Sequence, residues 1–283
     1  MSLFEAIFLG IVQGLTEFIP ISSSAHLDVI PKIFGWQNPS TFFDTFLHIG
    51  TFLALLVYFR TKIFTYLVVA FKFIFNKKLD QKNEKHSLLV LRSIILATIP
   101  AALIGLLFET YITNLFDNKE LDNQSNLIIA LSMIFMGILL IVYPKFIKGK
   151  KRIEMYNLGV LRSFIIGVAQ AIAFVRGVSR SGVSIVASQF VGLKRIDAAE
   201  FSFLMSIPIM LLTSIYSIYQ LISLNDNLKN EYILPSVVGM FSSFVFGILA
   251  IKFLLSFLKN NSLVFFGFYR ILFGMFVILI FYL

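Results

Sequence analysis

The chain has 283 residues, of which 58% are hydrophobic and 33 are phenylalanine. That much apolar surface cannot be hidden in one soluble core, so composition excludes an ordinary soluble domain and indicates an integral membrane protein. The formal net charge is +9, but the basic residues lie in short segments between apolar runs, the distribution of topology signals, which argues against a nucleic-acid partner.

In chain order, residues 3–31 form an apolar run broken in its middle by "PISSS". The first Lys or Arg is Lys32, so this run lacks the basic region of a signal peptide and is expected to stay in the mature protein. Apolar runs long enough to cross about 30 Å of hydrocarbon as helices follow at 43–59, 88–108, 127–143, 199–224, 233–257 and 262–283. Between the third and fourth of these, residues 158–193 form a second apolar run, interrupted by "RGVSRSG". Cysteine is absent, which removes disulfides, thiolate metal sites and cysteine nucleophiles.

Charge assigns the sides. Segment 60–87 carries Arg60, Lys62, Lys72, Lys77, Lys78, Lys82 and Lys85 against Asp80 and Glu84, and 144–157 carries Lys145, Lys148, Lys150, Lys151 and Arg152 against Glu154. Both read as cytoplasmic, as does the turn flanked by Lys252 and Lys259. Segments 109–126, with Lys119 among Glu109, Asp117, Glu120 and Asp122, and 225–232, with Lys229 beside Asp226 and Glu231, read as external. The sides alternate only if 1–42 ends outside and 144–198 begins and ends inside. The two broken runs are therefore expected to be re-entrant hairpins entering from opposite faces and lining one polar cavity, because irregular backbone at membrane depth needs protein or water around it.

Shifting the sequence by 157 lays "GIVQGLTEFIPISSSAHLDV" (10–29) on "GVAQAIAFVRGVSRSGVSIV" (167–186), matching Gly10 with Gly167, Gln13 with Gln170, Ser22 with Ser179, Ser24 with Ser181 and Val29 with Val186. The expected fold is an all-α integral membrane protein, one membrane domain over 1–283. It has six transmembrane helices and two re-entrant helical hairpins, arranged as two inverted-topology repeats over about 1–143 and 158–283, an organisation known from secondary transporters.

The polar residues of the two breaks could carry chemistry. Gln13 and Glu17 are one helical turn apart on one face, and Glu17 is costly in lipid, so it should face a cavity as a metal ligand or general base. Ser22, Ser23 and Ser24 could each cap the following helix or act chemically; His26, two to four residues away, could accept a hydroxyl proton or attack directly. On the second break, Arg176 and Arg180, the hydroxyls of Ser179 and Ser181, and the flanking Gly177 and Gly182 read as an oxyanion cradle. His48 with Asp44 is a weaker candidate, and His86 reads as surface. Carboxylate, histidine and hydroxyl facing an arginine cradle suit phosphoryl transfer, with a lipid phosphate as substrate. Transport of a polyprenyl phosphate or small anion, and a non-catalytic lipid-binding role, are the alternatives.

"QGLTEFIPISSSAHL", "RGVSRSGVSI", "AAEFSFLMSIP" and "FYRILFG" closely resemble the undecaprenyl-diphosphate phosphatase family of the bacitracin-resistance type. The resemblance implies a multi-pass enzyme of the bacterial cytoplasmic membrane. Its activity would be to cleave undecaprenyl diphosphate to the monophosphate carrier and inorganic phosphate for cell-wall synthesis. It implies that Glu17 and Gln13 serve catalysis and a divalent cation, Mg²⁺ or Ca²⁺, with a cavity open to the extracytoplasmic side and a homodimer as an assembly to test for. The catalytic set would be Glu17, Ser23, His26 and Arg180, and the substrate-binding set Ser22, Ser24, Arg176, Gly177, Ser179, Ser181 and Gly182. Ala25, Arg176 and Ser184 stand where the family has glycine, proline and threonine; Arg176 is expected to assist phosphate binding.

Overall fold

The computed structural model describes residues 1–37, 39–79, 81–116, 122–149, 151–222 and 226–282. These form α1 (Leu3–Phe18), α2 (Ser23–Phe34), α3 (Thr41–Tyr58), α4 (Arg60–Ile74), α5 (Lys82–Phe116), α6 (Asp122–Ile147), α7 (Gly159–Ala171), α8 (Arg180–Phe190), α9 (Arg195–Ile222), α10 (Asp226–Asn260) and α11 (Val264–Tyr282). Six of them, α3, α5, α6, α9, α10 and α11, contain stretches long and apolar enough to cross a membrane. The protein is thus an all-helical, multi-pass membrane protein, and all six spans overlap the runs expected from sequence.

The ends differ from those expectations. Residues 109–116 continue α5, and α6 and α10 begin at Asp122 and Asp226, because a helix does not end where hydrocarbon does. A helix of 35 residues such as α5 or α10 is about 52 Å long, against roughly 30 Å of hydrocarbon. Of the expected external segments, Asp117, Lys119 and Glu120 lie outside the described residues. The segment 60–87, expected as a loop, contains α4. Its apolar side chains Phe64, Leu67, Phe71 and Ile74 are exposed and its lysines were the stronger signal in the sequence.

Local chemistry sets the short helices. Ser2 and Glu5 cap α1 reciprocally, Glu5 N donating to Ser2 Oγ (3.2 Å) and Ser2 N to Glu5 Oε2 (3.0 Å). The helix stops at Phe18 because Pro20 drives Ile19 into extended backbone, ψ 135°. Gly35, in the left-handed region at φ 67°, ends α2.

The broken runs return to where they start. Ile153 bridges Leu193 and Ile153 N donates to Gly192 O at 3.0 Å, bringing the chain before α7 beside the chain after α8. Phe4 and Phe8 at the start of α1 likewise meet Trp36 just past α2, with ring centroids 6.3 and 5.7 Å apart. Packing is reciprocal: α1 lies along α10 as α7 lies along α5, α3 meets α10 as α9 meets α5, and α6 pairs with α11. The approaches are close. A Cβ on Gly14 of α1 would stand 2.7 Å from Ser243 O of α10, the small-residue packing that membrane helices use where no hydrophobic effect drives them together.

The predicted cytoplasmic segments meet at one end of the bundle. Lys62 pairs with Glu200, Lys194 with Glu154 (2.6 Å), Arg152 Nη1 donates to Leu193 O (3.4 Å) and Arg195 to Asn261 O (3.1 Å).

Candidate active site

After α1 ends, the chain turns through residues 19–22 and restarts as α2, with Ser22 at φ 73°, a left-handed conformation uncommon for a residue with a Cβ. The turn folds Ser23 back onto α1, where its hydroxyl donates to Glu17 Oε2 at 2.7 Å. Gln13, one turn earlier, donates Nε2 to the same oxygen at 3.2 Å.

The second break is built alike. Ser179 also has φ 73°, and its Oγ lies 3.1 Å from Ser181 Oγ, as Ser22 Oγ lies 3.3 Å from Ser24 Oγ. Gly177 has φ 90°, and a Cβ there would meet Ile129 O at 2.8 Å, so this turn requires glycine. Ser179 Oγ caps α8 by accepting from Gly182 N at 3.2 Å. Arg180, the first residue of α8, donates Nη2 to Glu17 Oε1 at 2.5 Å, so the carboxylate joins the two broken runs.

Arg270 of α11 holds both breaks from behind. It is fully buried, donating Nη1 to Pro20 O (3.2 Å) and Nη2 to Gly177 O. Buried carbonyls freed where a helix breaks need a donor, and one guanidinium supplies it to both.

In front of these contacts lies a cavity of about 220 Å³, bordered by Glu17, Ser22, Ser23, Ser24, Ser179 and Arg180, together with His48 of α3 and Met210 and Thr213 of α9. This is below the roughly 300 Å³ of sites that enclose drug-sized ligands, so it suits a charged head group and not a long lipid tail. The two motifs 157 residues apart therefore do share one cavity. Gln13 stands behind Glu17, and Gly177, Ser181 and Gly182 support the second turn from outside the cavity lining. The Gly182 amide, expected to face an anion, is taken by Ser179.

Two expected contacts are replaced. His26 was expected to meet a serine hydroxyl, but its Nδ1 lies 2.7 Å from Ser22 O and its Nε2 2.7 Å from Tyr269 OH. A carbonyl only accepts, so Nδ1 carries the proton and Nε2 accepts from the tyrosine. The ring is buried and stacks on Phe273 at 4.3 Å; its groups hold the strained Ser22 carbonyl, and Ser23 turns to Glu17 instead. Arg176, expected on phosphate, donates Nη1 to Asp28 Oδ2 at 3.0 Å, away from the cavity lining.

Oxygen donors that suit a hard divalent cation are present in Glu17, Gln13 and the serines. Gln13 Oε1 is buried with no hydrogen-bond partner, an orphaned acceptor that a cation would satisfy, so the residues fit one. Among the described residues no three His, Cys, Asp or Glu side chains converge, and such an ion would need phosphate oxygens to complete its shell.

Sequence reading gave His48 little weight and gave Tyr269 and Arg270 no role. The signal for Arg270 was there, since a lone arginine inside the apolar "FYRILFGMFVILIFYL" must have buried acceptors. For His48 the signal was only Asp44 one turn earlier, because Glu17, which it faces, is distant in sequence.

The family model "Bacitracin resistance protein BacA" matches residues 6–276. An undecaprenyl-diphosphatase of Caldicellulosiruptor bescii is 41% identical over 283 residues, covering 100% of this chain and 98% of that protein. One of Pelobacter propionicus is 39% identical over 274 residues, covering 97% and 95%, and one of Moorella thermoacetica is 36% identical over 283 residues, covering 100% and 99%. With a family model spanning most of its length and relatives matched end to end, the chain belongs to the BacA family of bacitracin resistance proteins.

Proposed function

We propose that this protein is a membrane phosphatase that hydrolyses undecaprenyl diphosphate to undecaprenyl phosphate and inorganic phosphate, recycling the lipid carrier of cell-wall synthesis and so opposing bacitracin. The observation that carries this reading is the convergence on Glu17 of Ser23 from one break and Arg180 from the other at the edge of a head-group-sized cavity. The names of the relatives agree with it.

The chemistry follows from the contacts. Ser23 Oγ attacks the terminal phosphorus while its proton passes to Glu17 Oε2, to which it is already hydrogen-bonded. The bond from that phosphorus to the bridging oxygen breaks, and undecaprenyl phosphate leaves. Water then cleaves the phosphoserine, returning the hydroxyl and releasing phosphate. Arg180 exchanges Glu17 for phosphate oxygens as substrate arrives, with Ser22, Ser24 and Ser179 around it and Ser181 holding Ser179 from behind; phosphoryl transfer depends mainly on such positioning and charge neutralisation. Gln13 and Glu17 would hold a divalent cation, Mg²⁺ or Ca²⁺ as a first assignment, which neutralises phosphate charge when bound. His26 serves by fixing Ser22 and thereby the start of α2; direct proton transfer would require it to leave both partners.

Residues 1–283 are taken as one membrane domain of the bacterial cytoplasmic membrane, with inverted repeats at about 1–143 and 158–283. The re-entrant reading of α1–α2 and α7–α8 is supported by the proximity of each pair's two ends, and the repeat by the matched serines at φ 73° and the reciprocal packing. The basic segments meet around Lys62, Lys194 and Arg195, none of which lines the cavity, and this favours a cavity reached from the extracytoplasmic side.

The test is phosphate release by the purified protein from undecaprenyl diphosphate, with lipid flux measured in parallel in vesicles. Release is expected. Flux without release would replace the phosphatase with a transporter, and neither would leave a binding protein.

A further inference from the structure

The helices that open the two broken runs differ in their first turns. In α1 the chain closes its own N-terminus through Ser2 and Glu5. In α7 it does not: Leu158 stands at the N-cap, no side chain caps the helix, and Gly159 follows at φ 71°. The unpaired amides at the start of a 13-residue helix, with the positive end of its dipole, attract an anion.

Beside this end lies a cavity of about 70 Å³, bordered by Tyr156, by Gly159 and Val160 of α7, and by Leu89, Arg92 and Ser93 of α5. Two of these residues point to a ligand. Ser93 is 4% exposed, yet among the described residues its hydroxyl has no hydrogen-bond partner. It does not even take the carbonyl one turn back, as Thr98 of the same helix does with Ile94 O at 2.8 Å. Arg92, exposed within an apolar span, likewise has no hydrogen bond or ion pair among the described residues, and a guanidinium in that position calls for an anion. Tyr156 forms a fixed wall, its ring stacked on His86 with centroids 3.8 Å apart.

The cavity is about twice one water's share of liquid volume, roughly 30 Å³, and far below the roughly 300 Å³ of an enclosing ligand pocket. It suits one phosphate group and excludes a nucleotide. The surroundings indicate where that phosphate comes from. Leu89, Ile95, Val160 and Leu161 are exposed on the same two helices, a surface for acyl chains to cover. No acidic residue borders the cavity, so nothing there holds the amine of a zwitterionic head. The segments leading into α5 and α7 are the basic ones, 60–87 and 144–157, which draw anionic lipids.

We infer that this cavity binds the phosphate of an anionic glycerophospholipid, held by Arg92, Ser93 and the first amides of α7, with the acyl chains along α5 and α7. It shares no residue with the cavity at Glu17, and it fastens the start of the second broken run to α5.

Native mass spectrometry of the purified, delipidated full-length protein, titrated with dioleoylphosphatidylglycerol, tests this. The wild type is expected to retain one lipid tightly. Arg92→Gln should weaken that binding at least about tenfold and Ser93→Ala about fivefold, the loss of a charged and of a neutral hydrogen bond. Arg162→Gln removes a neighbouring charge that serves Asn157 O and should leave binding unchanged. Wild-type affinity in both Arg92→Gln and Ser93→Ala, or an equal loss in Arg162→Gln, overturns the site. Equally tight retention of dioleoylphosphatidylcholine overturns the anionic assignment. Arg92-dependent protection against heating by inorganic phosphate, without protection by dioleoylphosphatidylglycerol, would give the cavity to the free ion and overturn the lipid.

Discussion

Replacing Glu17 by glutamine keeps the side chain's shape while removing the charge that Arg180 and Ser23 both address. A positioned base contributes roughly 10²–10⁴-fold, so Glu17→Gln is expected to lower phosphate release at least about a hundredfold in protein that still inserts and elutes as the wild type. Near-normal turnover would remove Glu17 from the mechanism. For Ser23 the expected sign is a phosphoserine trapped by rapid quench from the wild type and absent from Ser23→Ala; full activity in that variant would transfer the attack to water. Arg176 belongs to a different class, because its partner is Asp28 and both are partly exposed, with 44% and 28% of their side chains accessible. An exposed pair contributes about 0–1 kcal/mol, so Arg176→Pro should change KM and kcat by no more than about fivefold. A larger rise in KM would return Arg176 to the phosphate.

The helices that build the cavity depend on contacts that can be broken one at a time. Gly14 allows α1 to reach Ser243 O of α10, and Gly14→Val should destabilise the protein by about 1–3 kcal/mol through overpacking, visible as a lower unfolding temperature in detergent. Arg270 joins α11 to both breaks. Arg270→Met leaves two carbonyls unpaired, at about 1–3 kcal/mol each, and Arg270→Lys should recover only part of the loss because a single ammonium replaces a two-armed donor. Full recovery by lysine would refute the two-carbonyl latch. The breaks themselves were legible in the sequence, since Pro20 and the glycine-serine run of 177–182 interrupt apolar periodicity by rules that need no tertiary information. Helix α4 was not, because the seven basic residues of 60–87 suggested a loop and outweighed the apolar Phe64, Leu67, Phe71 and Ile74 that its exposed face carries.

For the whole molecule the decisive property is which end of the bundle faces the cytoplasm. The chain has no cysteine, so single cysteines can be introduced without background. Lys78→Cys and Lys148→Cys are expected to react with an impermeant thiol reagent only from the cytoplasmic side, and Gly35→Cys only from outside; the reverse labelling would invert the molecule and move the cavity to the other face. Sequence alone determined the six spans and the two interrupted runs, because hydrocarbon thickness acts on contiguous residues, and the bias of lysine and arginine gave them the sides that the labelling tests. It also brought Glu17, the serines and Arg180 to attention, since polar groups in apolar runs must be satisfied somewhere. Only the tertiary structure decided how they are satisfied. Ser23 turns to Glu17 and His26 to Tyr269, Arg176 leaves the cavity for Asp28, and Arg270 and His48 come to the two breaks from helices distant in sequence. A hydrogen bond depends on distance and direction within about 3 Å, and no spacing along a chain encodes that across 163 residues.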